Sequence, residues 1–358
     1  MSGRGQTEVT IVGFRISEGA VRIVRWQMHR MADMSFRSRG SRHRITVALA
    51  GVVLASMIAG AALATAVSAQ AQAAPVVRVH PMSAAPPSRA TVSSTWWVPP
   101  LGSQPWQWEL SNPLSLTNVK QMGTTDKLPN GSLAPAPVIY DIDGIINPAS
   151  TITALHALGK RVVCYVEVGA VGNYYSTADE GVSTTYYAQF AAAGVLGAKV
   201  KGWPERYLDI RAPATVSIVE SMIAQQCGAK GFDAVETDID ESYASANGFG
   251  LTRADEETYM TTLADYMHGL GLAWWIKNPD DTGDGYATDM APLADAVLTE
   301  QCNQYSTCSS LAAYFGHKAI FNAEYHRRPA QFCANDLALG INGAQFNVNL
   351  TGVRKPCA

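Results

Sequence analysis

The chain has 358 residues, 47% of them hydrophobic and 16% charged, with a formal net charge of −3. Residues 1–73 hold 9 Lys+Arg against 3 Asp+Glu, which leaves the remainder near −9. Nucleic-acid phosphates require a basic surface, so an acidic body excludes that class of partner and suits a neutral or cationic one.

In chain order, Arg37, Arg39, Arg42 and Arg44 precede an uncharged apolar run of 23 residues, 45–67. Small residues follow, in the order Ala-Val-Ser-Ala at 66–69 and Ala-Gln-Ala at 71–73. Basic, apolar and A-x-A is the order of a secretory signal, which makes residues 1–73 an N-terminal extension plus signal peptide. Met34 stands just before it as a candidate true start. The run is also long enough to span a bilayer. A secreted protein with a cleaved signal is therefore the first reading, and an outward-facing protein on an uncleaved membrane anchor is the alternative.

Residues 74–95 are rich in Ala, Pro and Ser without apolar periodicity and read as a linker. The remaining 96–358, roughly 265 residues, match the ~250 typical of one (β/α)₈ barrel. Short apolar runs alternate there with helix-length segments, the pattern of βα units around a parallel sheet. Candidate strands are 106–110, 138–142, 161–168, 207–210, 232–237, 272–277, 296–299, 318–323 and 344–348. Nine exceed the eight a barrel needs, so the first or the last is expected to be extra. Candidate helices are 149–158, 214–226, 253–270 and 308–315, the third opening on a capping box of Thr252 and Asp255. Gly159, Gly228, Gly271 and Gly316 stand where left-handed helix caps are expected.

Six cysteines lie in the exported body, where disulfides persist. Cys302–Cys308 and Cys333–Cys357 are the expected bridges. Cys164 and Cys227 form either a third bridge or two buried thiols. No C-x-x-C or H-x-x-x-H spacing occurs, so neither a metal site nor a cofactor is expected.

The chemistry lies in acids that end the apolar runs. Asp141 and Asp143 close one run, Glu167 the next, and Glu236, Asp238 and Asp240 a third. Glu300 and Glu324 close two more. In a (β/α)₈ barrel these ends form the active-site mouth. Alternation along a strand puts Asp141 with Asp143, and Glu236 with Asp238 and Asp240, on shared faces. Carboxyls crowded into a cleft separate into one proton donor and one ionised partner, which is what glycoside hydrolysis requires. Lys277 and Asn278 close another run and project to the same mouth. Among the aromatic residues near strand ends, which include Tyr174, Tyr175 and Tyr325, Trp203 and Tyr243 are the expected sugar contacts and the others mostly core.

Several elements resemble, in order, those of glycoside hydrolase family 114, the endo-α-1,4-polygalactosaminidases. They include Trp106-Gln-Trp-Glu-Leu110, Tyr140-Asp-Ile-Asp143, Val163-Cys-Tyr165, Gly231-Phe-Asp-Ala-Val-Glu-Thr-Asp238, Lys277-Asn278, Glu300-Gln-Cys302 and Glu324-Tyr325. The resemblance spans 96–325 and implies a single-domain (β/α)₈ barrel that cuts a galactosamine-containing polysaccharide internally without metal. It implies Asp238 as nucleophile or base and Glu300 as general acid. Asp141, Asp143, Glu167, Trp203, Glu236, Tyr243, Lys277, Asn278 and Glu324 are then substrate-binding or supporting residues. Thr237 and Ile239 stand where the family has proline and asparagine, and Glu167 where a small residue is usual. The rival class is a non-catalytic barrel that holds a polysaccharide at the cell surface.

Overall fold

The computed structural model describes residues 96–172, 181–279 and 283–358. The expected signal segment with Met34, the expected linker at 74–95, Tyr174 and Tyr175 lie outside the described residues. Among those described, no helix is long and apolar enough to cross a membrane.

The described residues form twelve strands: β1 Trp106–Glu109, β2 Ile139–Asp143, β3 Arg161–Glu167, β4 Ala170–Gly172, β5 Leu196–Lys199, β6 Glu205–Leu208, β7 Ala234–Asp238, β8 Ala273–Lys277, β9 Ala296–Glu300, β10 Ala319–Glu324, β11 Asn342–Phe346 and β12 Arg354–Pro356. Eight of them, β1-β2-β3-β7-β8-β9-β10-β11, pair in parallel. β12 runs antiparallel to β11, and a Glu109–Thr351 bridge brings the sheet back toward β1. The result is a nearly closed (β/α)₈ barrel. Both the first and the last candidate strands belong to it. The surplus candidate is instead 207–210, which overlaps β6 and joins a separate antiparallel sheet, β4-β6-β5, inserted between β3 and β7.

Strand alternation divides the apolar side chains between two cores. Trp106, Trp108, Ile139, Val163, Trp275, Leu298, Phe321 and Phe346 fill the barrel, with Trp275 stacked on Phe321 at 4.4 Å. The intervening residues, among them Tyr140, Val162, Val235, Trp274 and Ile320, face helix residues such as Ile152, Leu155, Val219, Met260 and Leu263. Each fully buried side chain of this size contributes roughly 1.5–3 kcal/mol, so the two cores account for most of the stabilising burial. Near the amino ends of the strands, Trp96 stacks on His268 at 3.9 Å and donates to Asp295 at 3.1 Å. Trp97 lies 6.3 Å from Trp275 with Arg161 over its ring.

The helix Arg253–Gly269 opens on the expected capping box, with Thr252 and Asp255 bonding reciprocally. Gly159 and Gly271 take the left-handed conformation. Gly228 instead ends a π-turn, and Gly316 stays right-handed at φ −59°. Three disulfides form: Cys164–Cys227, Cys302–Cys308 and Cys333–Cys357. The first settles the open alternative, tying β3 to the turn after helix Pro213–Ile223.

Candidate active site

Three adjacent strands each end on a polar residue: β7 on Asp238, β8 on Lys277 and β9 on Glu300. The residue after each has positive φ, namely Ile239 at 58°, Asn278 at 44° and Gln301 at 60°. Non-glycine residues adopt this region at a cost of about 1–2 kcal/mol. Backbone contacts hold them there. The Asp238 carbonyl accepts from Val168 N at 2.9 Å, Asn278 N donates to Leu298 O at 3.0 Å, and Gln301 N donates to Ala323 O at 2.8 Å. A Cβ on Gly169 would stand 1.9 Å from the Ile239 carbonyl oxygen, so only glycine admits this close approach. The turns break the pleat directly after the three side chains and leave them at the barrel mouth.

Lys277 is the hub. Its side chain is 2% exposed, and its ammonium donates to Glu236 Oε1 at 2.8 Å and lies 3.6 Å from both Asp238 Oδ1 and Glu300 Oε2. The Trp108 ring faces it at 4.8 Å, adding a cation–π attraction. The two carboxylate oxygens share one neighbour and cannot be further apart than twice 3.6 Å. Asp238 Oδ2 accepts from the Tyr165 hydroxyl at 2.8 Å. Glu300 is held reciprocally by Asn278, which donates to Oε2 at 2.9 Å and accepts from the Glu300 amide at 2.7 Å. Tyr325 donates to Glu300 Oε1. The Glu300 side chain is 11% exposed and that of Asp238 only 2%, so the glutamate is the more open of the two.

Beneath this pair, Asp141 and Glu236 are fully buried inside the barrel, close enough for the charge of one to act on the other. Burial, then the Glu236 charge, pushes the Asp141 carboxyl well above the usual carboxylate range. Burial also raises Glu236, opposed by the Lys277 charge.

The other expected site residues are placed differently. Asp143 accepts from the amides of Ile145 and Ile146 at 2.7 and 2.9 Å, shaping the turn after β2. Glu167, at the end of β3, pairs in register with Asp238. Trp203 is 7% exposed and packs with Val200, Tyr207 and Ile239, which makes it a support for the turn after Asp238 rather than an open stacking face. Tyr243 bonds Asp284 through its hydroxyl at 2.9 and 3.0 Å and stacks obliquely on Tyr286.

Two placements depart from expectation. Phe321 and Ala323 point into the barrel, so Glu324 faces away from it. There it accepts from Asn303 N at 2.8 Å and Asn322 Nδ2 at 3.4 Å, its carboxyl raised by burial. Asp240 does not share the face of Asp238, because the left-handed Ile239 intervenes. It accepts from Thr237 Oγ1 at 2.7 Å and Lys277 N at 3.0 Å, with its carboxyl pushed well up by burial.

Sequence reading did not single out Tyr165 or Tyr325 as site residues. Alternation held the signal: Tyr165 lies two residues before Glu167 on β3, and Tyr325 two after Ala323. It also passed over Glu109 at the end of β1, whose carboxyl burial pushes up to about 7 although it accepts from Ser111 N, Asn112 N and Gln121 Nε2.

Comparison with known proteins adds three findings. A family model described as glycoside-hydrolase family GH114 matches residues 86–358. Among solved structures, Ega3 of Aspergillus fumigatus, in complex with galactosamine, is similar at 25% identity and a TM-score of 0.57, over 73% of this chain and 97% of that one. The glycoside hydrolase domain of PelA from Pseudomonas aeruginosa aligns at 14% identity and a TM-score of 0.48, over 70% of this chain and 97% of that one. No curated protein matches the chain in sequence.

Proposed function

The chain belongs to glycoside-hydrolase family GH114, and from that premise we propose that it cleaves internal α-1,4 bonds of a galactosamine-containing polysaccharide. Asp238 is the nucleophile or base and Glu300 the general acid. The observation that carries the reading is the pair of carboxylate oxygens, one on each residue, at 3.6 Å from a single buried ammonium.

Glycoside hydrolysis needs a carboxyl that protonates the leaving oxygen and a carboxylate that attacks the anomeric carbon or activates water. Asp238 meets a phenol donor and an ammonium, surroundings that suit an anion. Glu300 is the more open, and its Tyr325 partner is a hydroxyl that accepts as well as donates, so the contact survives either protonation state. As Glu300 protonates the glycosidic oxygen, the bond to the leaving sugar breaks and the anomeric carbon bonds instead to Asp238, whose ester water then hydrolyses, or directly to a water that Asp238 deprotonates. Lys277 stabilises the carboxylate that Glu300 becomes. The limit on the separation of Asp238 Oδ1 and Glu300 Oε2 admits the ~5–5.5 Å of retaining enzymes and the lower edge of the ~6.5–9.5 Å range of inverting ones, so the pair can serve either geometry.

The bound sugar of Ega3 and the acidic body, near −9, both support a substrate bearing protonated amines. The basic-apolar-small N-terminal order and the three disulfides support export to an oxidising compartment. The test is release of reducing ends from α-1,4-linked polygalactosamine. Asp238→Asn and Glu300→Gln, each alone, are expected to abolish it while the thermal transition stays within a few degrees of wild type. Full activity in both variants would overturn the assignment. A wild-type protein that binds the polymer and releases nothing would point to the non-catalytic barrel.

A further inference from the structure

Asp141 and Glu236 place two neighbouring carboxyls at the bottom of the site, both fully buried. Glu236 Oε1 receives the Lys277 ammonium at 2.8 Å. The other three oxygens, both of Asp141 and Oε2 of Glu236, receive no hydrogen bond from any N–H or hydroxyl group among the described residues. Two adjacent anions with a single cation and a single donor between them are not sustainable in a dry interior. One proton shared between them supplies the missing donor. It belongs on the member that does not touch the cation.

We propose that Asp141 is a positioning residue: a neutral acid that donates to Glu236, so that the pair presents a single negative charge to Lys277 and fixes the ammonium between Asp238 and Glu300. The inference rests on the catalytic reading above, yet its central claim, a proton on Asp141, stands apart from turnover. The groups facing the pair are consistent with this division. From β8 comes Lys277, from β7 Asp238 beside Glu236, while the Asp141 partners in register on β1 and β3 are the uncharged Trp108 and Val163. Burial and the Glu236 charge both disfavour a charged Asp141. Were Asp141 ionised as well, a second buried anion would draw Lys277 down and away from the catalytic oxygens.

Infrared difference spectroscopy of the full-length protein tests the proton directly. Subtracting the Asp141→Asn spectrum from wild type at neutral pH is expected to leave one protonated-carboxyl C=O band; a difference spectrum without it overturns the proposal. In kinetics, Asp141→Asn keeps a neutral donor and is expected to stay within about tenfold of wild-type kcat. Glu236→Gln, which removes the charge that anchors Lys277, is expected to lose a hundredfold or more. An Asp141→Asn protein that melts cooperatively but is as impaired as Glu236→Gln overturns the proposal too. If wild type cleaves no amino-sugar polymer, the catalytic reading fails, and the carboxyl band still decides the state of Asp141.

Discussion

Tyr165 donates its phenolic hydrogen to Asp238 Oδ2 at 2.8 Å, reaching from β3 to the last residue of β7. A hydrogen bond to a charged group is worth about 1.5–3 kcal/mol. Tyr165→Phe removes that donor and leaves the ring beneath Lys277 in place. The variant is expected to lose about ten- to a hundredfold in kcat. A carboxylate stripped of a donor holds its proton more tightly, so the acid limb of the kcat–pH profile should move to higher pH. An unaltered profile would mean that the phenol does not act on the ionisation of Asp238.

The second expectation concerns Lys277. Its contacts with Glu236, Asp238 and Glu300 concentrate three acids on one buried cation. Removing one partner of a buried ion pair destabilises by about 3–5 kcal/mol, because the remaining charge is left unpaired. Lys277→Met retains the stem and deletes the ammonium. Both the thermal midpoint and the release of reducing ends should fall, the latter at least a hundredfold. Wild-type activity in this variant would show that the two carboxylates need no shared counter-ion.

How far this was legible in the sequence depends on the kind of signal. The Thr252–Asp255 box and the apolar period after it announced a helix because cap and periodicity are both local. The strand-end acids were visible because the apolar run and its polar terminus are contiguous, and Asp238, Lys277 and Glu300 do converge. Of the inserted sheet only β6 was visible, as the 207–210 run: Ala170-Val-Gly172 and Leu196-Gly-Ala-Lys199 carry too little apolar alternation to mark a strand. Asp240 was misassigned because nothing in an isoleucine codes for the left-handed turn that ended the strand before it. For Glu324 the information was present. Counting alternation forward from Phe321 through Ala323 places it outside the barrel.

Stability should fall as pH rises through the neutral range. Burial lifts Glu256 to about 8 and Glu109 to about 7, against 4.5 for a free side chain. Between 4.5 and those values the unfolded chain releases protons that the folded chain retains, so folding is favoured at the low end of the window and weakened at the high end. Each group contributes on the order of 1 kcal/mol per pH unit within its own window. Asp209 and Asp255, lowered mainly by hydrogen bonds from Arg211 and Thr252 respectively, act in the opposite sense, but only in the acid range. Glu256→Gln keeps an acceptor for Ser242 and for the Tyr243 amide. Melting curves from pH 5 to 8 should therefore be flatter for this variant than for wild type. Parallel curves would contradict a neutral Glu256.

The three disulfides close loops of very different size, with sequence separations of 63, 24 and 6 residues. Loop-closure entropy then predicts losses of about 4, 3 and 2 kcal/mol on removing Cys164–Cys227, Cys333–Cys357 and Cys302–Cys308 respectively. Activity should follow a different order. Cys302 comes two residues after Glu300 and directly after the left-handed Gln301, and it is fully buried. Freeing that short loop relaxes the turn that aims the proposed general acid. Cys302→Ala/Cys308→Ala should therefore cost the least stability of the three pairs and the most kcat per folded molecule. Chemical denaturation alongside initial rates on each double variant separates the two effects. If kcat instead falls in the same order as stability, the short bridge holds the fold and not the acid.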